Sequence, residues 1–159
     1  MRLLKEYVTS ILREMEITHD GAGIVVVRNF DDDWKVLGLF DPGGKGYPSG
    51  MDIPKGHAEA GEEPLVTAFR ESDEEASIGE SDLYFRWGME PLIIDGHLVI
   101  YLAETESDPQ ISPNPLTGDY EHDKALWLSF DDMLSQSIGF LKPAIAWAQN
   151  KVQNTDPAV

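Results

Sequence analysis

The sequence predicts an α/β (α+β) fold in which a β-sheet packs against helices. Residues 23–30 and 34–40 are apolar, β-branched runs of strand length, and the three aspartates between them predict a hairpin. Residues 64–76 instead repeat apolar side chains at helical spacing, with a proline at the first helical position. Both kinds of element therefore occur within one chain of single-domain length.

Composition limits the function classes. The chain of 159 residues is 42% apolar with mixed charges, which is ordinary for one soluble globular domain. Its net charge of −17 disfavours an extended nucleic-acid interface, because such surfaces are built from clustered Lys and Arg. The absence of cysteine excludes disulfides, thiolate metal sites and cysteine nucleophiles. No apolar stretch is long enough to span a membrane, so we expect no membrane partner and a cytoplasmic location.

The chain begins with a predicted amphipathic helix. Its apolar face consists of Leu4, Tyr7, Val8, Ile11, Leu12 and Met15. We interpret it as a packing element, and a helix that forms a homodimer is the sharper alternative. The predicted organisation is this helix at residues 1–20, a single domain at 21–153 and a disordered tail at 154–159.

The other elements follow from turn and strand patterns. The glycine-rich segment 41–50 lacks the strand and helix context of a P-loop, so it predicts a flexible rim. Asp95-Gly96 is a tight-turn signal, and Ser129 with Asp132 signals the start of a helix. The remaining predicted elements are strands at 51–55, 83–89, 92–94, 97–104 and 124–128, a long loop at 105–119, and a last helix that opens at Pro143.

The stretch GHAEAGEEPLVTAFRESDEEASI, residues 56–78, is the most informative part of the chain. Two glycines bracket a polar turn, and the helix that follows presents an apolar face. That face consists of Leu65, Ala68, Phe69, Ser72 and Ala76. Beside it, Glu71, Glu74 and Glu75 stand at i, i+3 and i+4, so their carboxylates converge on one patch.

Carboxylates at this spacing repel one another by about 0.2–0.5 kcal/mol per pair. A divalent cation would reverse that sign, because Mg²⁺ is usually shared between a few carboxylates and the phosphates of a substrate. The alternative is a solvated acidic face, which is common in a chain with 29 acidic residues. The patch alone leaves both interpretations open.

The spacing of the charged residues resembles the Nudix box of the Nudix hydrolase family. That box is a glycine, five residues, a glutamate, seven residues, Arg-Glu, an apolar residue, any residue, Glu-Glu, any residue, a glycine and an apolar residue. The matching positions are Gly56, Glu62, Arg70, Glu71, Glu74 and Glu75. Ser72 replaces the usual apolar residue and Ser77 the late glycine, and neither change removes a charged group.

Segments outside the box are similar to the diadenosine tetraphosphate (Ap4A) hydrolase branch of that family. They are residues 54–62, 98–104 and 121–133, and they lie at matching distances. The resemblance implies the Nudix fold, a mixed β-sheet sandwiched between helices, to which this chain would add an extra N-terminal helix.

The resemblance also implies a metal centre with Mg²⁺ or Mn²⁺ as the cofactor. In the family, the carbonyl of the first box glycine and the late box carboxylates hold the cation. The corresponding residues are Gly56, Glu71, Glu74 and Glu75. A carboxylate outside the box completes the metal shell in related enzymes; Glu121 is at the matching place, and Glu104 is the competing candidate.

The reaction implied by the resemblance is hydrolysis of a phosphoric anhydride. Bound cations neutralise the phosphate oxygens and activate a water. A box glutamate, for which we select Glu74, removes the proton from that water. Glu62 matches the residue that pairs with the arginine of the box, here Arg70, and steadies the helix.

The implied substrate is a nucleoside diphosphate linked to another moiety, with cleavage of Ap4A to ATP and AMP as the first expectation. The candidate substrate contacts are Lys55, His57, Tyr47 and Tyr101. The branch has a tyrosine that is thought to stack on adenine where this chain has Ala125, and Tyr120 is a further ring that could replace it.

Other substrates would use the same metal centre. They are ADP-ribose, a dinucleotide cofactor, a nucleoside triphosphate and the 5′ end of an RNA. The alternative of another class is a catalytically silent nucleotide-binding module, and the complete set of box carboxylates argues against it.

Overall fold

The computed structural model describes residues 4–6, 19–44, 46 and 49–154. The strands are β1 (Gly21–Phe30), β2 (Asp33–Asp41), β3 (Gly50–Asp52), β4 (Lys55–His57), β5 (Leu83–Tyr84), β6 (Leu92–Ile94), β7 (Leu98–Thr105) and β8 (Lys124–Leu128). The helices are α1 (Pro64–Ala76), α2 (Phe130–Gln136) and α3 (Lys142–Asn154), with 3₁₀ turns at Glu80–Asp82 and Gly139–Leu141. Residues 4–6 are helical, and the rest of the predicted N-terminal helix, up to residue 18, lies outside the described residues.

The eight strands form one mixed sheet, which confirms the predicted fold class. Its main path is β3-β2-β1-β7-β5, while β4 pairs with β1, β6 with β7 and β8 with β2. β1 and β7 run parallel, from Gly21 opposite Leu98 to Val27 opposite Glu104. Every other pair among the described strands is antiparallel.

The predicted hairpin joins β1 to β2, with Phe30 opposite Asp33. Its two turn residues, Asp31 and Asp32, have φ angles of 52° and 70°. Aspartate tolerates this left-handed conformation better than most residues, and such turns match the twist of paired strands. The side chain of Asn29 also accepts a hydrogen bond of 2.7 Å from the Asp32 N–H.

The sheet lies between helices, as expected, and β1 is buried on both of its faces. Ile24 and Val26 belong to the core cluster that contains Leu65 of α1, whereas Val25 belongs to the cluster that contains Ile145 of α3. A strand covered on both faces is a central strand. Both halves of the core are therefore built on β1.

Within the described part of the chain, no helix has the length and apolar character needed to cross a bilayer.

Helix α1 begins and ends where the sequence predicts. Glu63 is its N-cap, Pro64 is its first residue, and Ser77 ends it with a left-handed φ of 57°. Ser77 stands where the box usually has glycine, the residue that adopts this conformation without strain. Ser72 is fully buried on the face that packs against the sheet.

Most predicted boundaries lie within two residues of the observed ones, and three predictions need correction. β5 stops at Tyr84, because Gly88 adopts a φ of 90° and donates a hydrogen bond to the Phe85 carbonyl, which makes a turn. The predicted strand 51–55 is two strands, because β3 pairs with β2 whereas β4 pairs with β1. Asn154 ends α3 instead of opening a disordered tail, and residues 155–159 lie outside the described part.

Gly23→Ala tests the close approach of β4 to β1. A Cβ at Gly23 would lie 2.5 Å from the Cβ of Lys55 and 2.5 Å from the carbonyl oxygen of Pro54. Relieving these contacts separates the two strands, so we expect the free energy of unfolding to fall by about 1–3 kcal/mol. Thermal unfolding followed by circular dichroism measures the change.

The control is Gly139→Ala, because a Cβ at Gly139 meets no atom within 4 Å. Equal midpoints of thermal unfolding for the two variants would contradict the close approach of the strands.

Candidate active site

A cleft of about 940 Å³ runs along α1 and brings the predicted metal ligands together. Its walls come from α1, from the β2–β3 and β3–β4 segments and from the loop that precedes β8. The predicted ligands that line it are Gly56, Glu71, Glu74, Glu75 and Glu121. Residues far apart in the sequence therefore face one space.

Glu104, the competing candidate, lies elsewhere. It pairs with Val27 at the far end of β1, whereas β4 pairs with the other end, at Gly21–Gly23. Its carboxylate accepts hydrogen bonds from Arg86, at 3.1 Å from Nε and 2.9 Å from Nη2. Glu104 is therefore a structural ion-pair partner, and Glu121 is the remaining candidate from outside the box.

Arg70 clamps the turn before α1 to the helix. Its Nε and Nη2 donate to the two carboxylate oxygens of Glu62 at 2.9 and 3.0 Å, and Nη2 also donates to the carbonyl oxygen of His57 at 2.9 Å. Its Nη1 donates to Glu71 at 2.9 Å and to Glu74 at 3.3 Å. The predicted pairing of Glu62 with Arg70 is present, and Arg70 also offsets the charge of two carboxylates of the patch.

The clamp changes the acidity of both partners. Hydrogen bonds from Arg70 lower the pKa of Glu62 from 4.5 to about 2. The same hydrogen bonds raise the pKa of Arg70 above its usual value. Thr67 adds a hydrogen bond of 2.6 Å from its hydroxyl to Glu62. The turn is thus held by a charged, bidentate contact, which is the stronger kind of ion pair.

The surroundings of Glu74 and Glu75 disfavour the ionised forms of these carboxylates. Burial raises the pKa of Glu75 well above 4.5, and a hydrogen bond with Glu71 and the charges of Asp52, Glu71 and Glu121 raise it further. Burial also raises the pKa of Glu74, and the negative charge of Glu71 raises it further. In both cases the surroundings oppose the ionised form, which is the form that binds a cation.

Two observations show that the donor set fits a divalent cation. Glu75 Oε2 is buried and has no hydrogen-bond partner among the described residues. A Cβ on Gly56 would collide with the Glu71 carboxylate, so only glycine leaves that carboxylate its place. The candidate ligands are all oxygens, which Mg²⁺ and Mn²⁺ prefer.

Lys55 and His57 lie at the border between the cleft and a second pocket. The smaller pocket, of about 360 Å³, has Leu98, Ile138 and Phe140 in its wall. Lys55 donates a hydrogen bond of 3.2 Å to Asp52, and its ammonium group lies 5.5 Å from the centre of the Phe140 ring. Both predicted contacts are thus placed beside the cleft. The apolar pocket was missed, because its residues come from β7 and from the turn before α3.

The structure excludes one of the predicted aromatic substrate contacts. Tyr101 is fully buried in the core cluster that packs against α1, so it is removed from the candidate substrate contacts. Tyr47 lies outside the described residues. Tyr120 is exposed and absent from the walls of both pockets, and Ala125 packs against the same cluster as Tyr101.

Sequence reasoning also missed a polar cluster in the cleft, two of whose three members are buried. Asp41, Asp52 and His122 each offer one atom, and these three atoms lie within 4.8 Å of one another. Asp52 and His122 are both only 4% exposed. The available signals were the position of His122 directly after Glu121 and that of Asp52 three residues before Lys55.

Comparison with known families gives one match over most of the chain. A family model described as the NUDIX domain matches residues 17–148. Comparison with curated proteins found no match.

Solved structures share the fold. A C. elegans Ap4A hydrolase in a binary complex has a TM-score of 0.67 and 23% identity, covering 85% of this chain and 99% of that chain. The NUDIX domain of Shewanella oneidensis NrtR, complexed with ADP ribose, has a TM-score of 0.60 and 15% identity, covering 85% and 88%. The Nudix hydrolase RenU from M. smegmatis has a TM-score of 0.61 and 17% identity, covering 89% of each chain. At these identities the likeness concerns the fold.

Glu62→Gln tests the clamp. Loss of the charged hydrogen bonds is expected to lower the free energy of unfolding by about 1.5–3 kcal/mol at pH 7. Because folding lowers the pKa of Glu62 to about 2, the wild-type advantage is complete above its ordinary pKa of 4.5 and shrinks as the pH falls towards 2. Urea titrations at pH 7, 4 and 3 measure the difference.

Glu63→Gln is the neighbouring control, because the Glu63 side chain makes no capping hydrogen bond. A Glu62→Gln deficit that stays constant from pH 7 to pH 3 would contradict the assignment.

Proposed function

Because this chain belongs to the Nudix domain family, we propose that it hydrolyses a phosphoric anhydride bond of a nucleoside diphosphate linked to another moiety. The Nudix domain indicates a hydrolase that acts on pyrophosphate bonds. The observation that carries the proposal is the convergence of Glu71, Glu74, Glu75 and Glu121 on one cleft. We propose Ap4A as the substrate and ATP and AMP as the products.

The proposed ligands of Mg²⁺ or Mn²⁺ are the Gly56 carbonyl and the carboxylates of Glu71, Glu74, Glu75 and Glu121. Such a cation, when bound, neutralises phosphate oxygens and lowers the pKa of a water. Arg70 and Glu62 are positioning residues in this proposal, because their contacts hold the turn and the helix together.

Glu74 is the proposed general base. Its side chain is 33% exposed, compared with 12% for that of Glu71, so a water reaches it more readily. Arg70 Nη1, at 3.3 Å, orients one of its oxygens.

The two adjoining pockets suit a substrate with two unlike parts. The acidic cleft would take the phosphates through the cation, and the apolar pocket beside it would take the base or the other moiety. Lys55 and His57 border both spaces, so we propose that they contact the phosphates where the cleft meets the apolar pocket. Phe140, whose side chain is half exposed, offers a ring for stacking.

ADP-ribose is the second candidate substrate. The NUDIX domain of Shewanella oneidensis NrtR, described in complex with ADP ribose, shares the fold. A dinucleotide cofactor and the 5′ end of an RNA would place the same diphosphate group in the cleft. A catalytically silent nucleotide-binding module is the alternative of another class.

The proposed function is tested by turnover. Purified protein is incubated with Mg²⁺ and with Ap4A, ADP-ribose, a dinucleotide cofactor, ATP or capped RNA, and the products are separated by chromatography. We expect ATP and AMP from Ap4A. Loss of a cation ligand removes several kcal/mol of transition-state stabilisation, so Glu75→Gln is expected to reduce kcat by about a hundredfold or more.

Asp73→Asn is the matched control, because Asp73 is an exposed carboxylate of the same helix that does not line the cleft. Absence of product from every compound with the folded wild-type protein would refute the hydrolase and leave the binding module.

Phe140→Ala tests the apolar pocket. Stacking of a base on an aromatic ring contributes about 1–3 kcal/mol, so we expect KM for Ap4A to rise about tenfold with little change in kcat. Tyr84→Ala is the control, since Tyr84 is an exposed aromatic residue of β5 outside both pockets. An unchanged KM would place the base elsewhere.

A further inference from the structure

Three ionisable side chains are buried together at the wall of the cleft. Asp52 and His122 are 4% exposed and Glu75 is 8% exposed. They come from the end of β3, from α1 and from the loop before β8, so the cluster exists only in the folded chain. Burying charged or polar groups costs free energy unless they find partners. The contacts within the cluster therefore matter to each of its members.

Asp52 fixes the imidazole of His122. Its Oδ1 accepts a hydrogen bond of 2.8 Å from the Ile53 N–H, which orients the carboxylate. Its Oδ2 lies 3.2 Å from Lys55 Nζ and 3.2 Å from His122 Nε2. Because Nε2 is held in this way, the direction in which Nδ1 points is also fixed.

His122 Nδ1 points towards Glu75. His122 Nδ1 lies 3.9 Å from Glu75 Oε2, the buried oxygen that has no hydrogen-bond partner among the described residues. The carboxylates of Asp52, Glu71 and Glu121 also act on Glu75. A ring that donates to Asp52 from Nε2 presents an N–H to Glu75 only when Nδ1 is protonated as well. In that imidazolium form the ring attracts both carboxylates.

We propose that His122 is a positioning residue for Glu75. Asp52 holds the ring at Nε2, and the ring presents Nδ1 to Glu75, which keeps that carboxylate in the orientation needed to share a divalent cation with Glu71 and Glu74. Polar partners behind a ligating carboxylate commonly tune metal affinity in this way. The inference rests on the proposed function through its metal centre.

Three substitutions separate the two contacts of the ring. His122→Phe keeps the ring volume and removes both nitrogens. His122→Asn places an amide nitrogen near the position of Nδ1 and loses the contact with Asp52. His122→Gln places its amide near the position of Nε2 and loses the contact with Glu75.

The main readout is direct binding of Mn²⁺, followed without substrate by the electron paramagnetic resonance signal of free Mn²⁺. Positioning partners of this kind change metal affinity by about 10–100-fold, so we expect His122→Phe to weaken Mn²⁺ binding by at least about tenfold. His122→Gln is expected to behave like His122→Phe, and His122→Asn is expected to recover part of the affinity. KM at saturating Mn²⁺ is expected to stay near the wild-type value, because the ring does not contact the substrate in this proposal.

Several results would overturn the inference. One is unchanged Mn²⁺ affinity in His122→Phe with a normal melting temperature, and another is recovery by His122→Gln in place of His122→Asn. Loss of one bound Mn²⁺ equivalent from all three variants, with the remaining affinity unchanged, would mean that Asp41, Asp52 and His122 bind a cation directly. Wild-type protein that binds Mn²⁺ but releases no product from any compound would refute the hydrolase alone, because the binding comparison stands without turnover.

Discussion

The arrangement of the candidate site depends on the guanidinium group of Arg70. It donates through all three nitrogens, to both oxygens of Glu62, to the His57 carbonyl and to two carboxylates of the acidic patch. A permanently charged, planar group can serve so many acceptors, whereas a lysine ammonium cannot match this geometry. Among the ion pairs of the described residues, Arg70 reaches Glu71 and Glu74 but not Glu75. Glu75 is therefore the carboxylate of the patch without an arginine partner, and a bound cation or a protonated His122 would supply the opposite charge.

Local patterns predicted much of this structure. The hairpin turn at Asp31 and Asp32 and the limits of α1 follow from neighbouring residues, so sequence reasoning located them. The contact between Glu62 and Arg70 spans eight positions and was inferred from a family motif, which encodes a geometry that composition does not. A family motif can therefore predict a contact that local sequence patterns do not indicate.

Other features depend on contacts between distant segments. β7 is covered on both faces, so it lacks the alternation that would have marked Tyr101 as a core residue. Asp52 and His122 are separated by 70 positions, and only the pairing of β3 and β8 with β2 brings them together. Neither residue carries a signal of this proximity in its own neighbourhood.

Ser77 shows how a departure from the motif is accommodated. Its left-handed backbone would suit glycine, yet its hydroxyl donates a hydrogen bond of 3.1 Å to the Gln110 carbonyl and lies 3.2 Å from the hydroxyl of Ser112. The Gln110 N–H also donates to the Ala76 carbonyl at 2.8 Å. The end of α1 is thereby tied to the loop that carries Glu121. Asn114, in the same loop, donates a hydrogen bond of 3.2 Å to Glu121.

The parallel pairing of β1 with β7 also affects the order in which the chain can assemble. It joins segments on either side of α1, and contacts between such distant segments form only after a large loss of chain entropy. On the ribosome, the box helix therefore emerges well before the strand that completes the central sheet. A nascent chain that ends at β7 also lacks Glu121 and His122. Competence of the site is thus acquired late in synthesis, although its most recognisable residues are translated early.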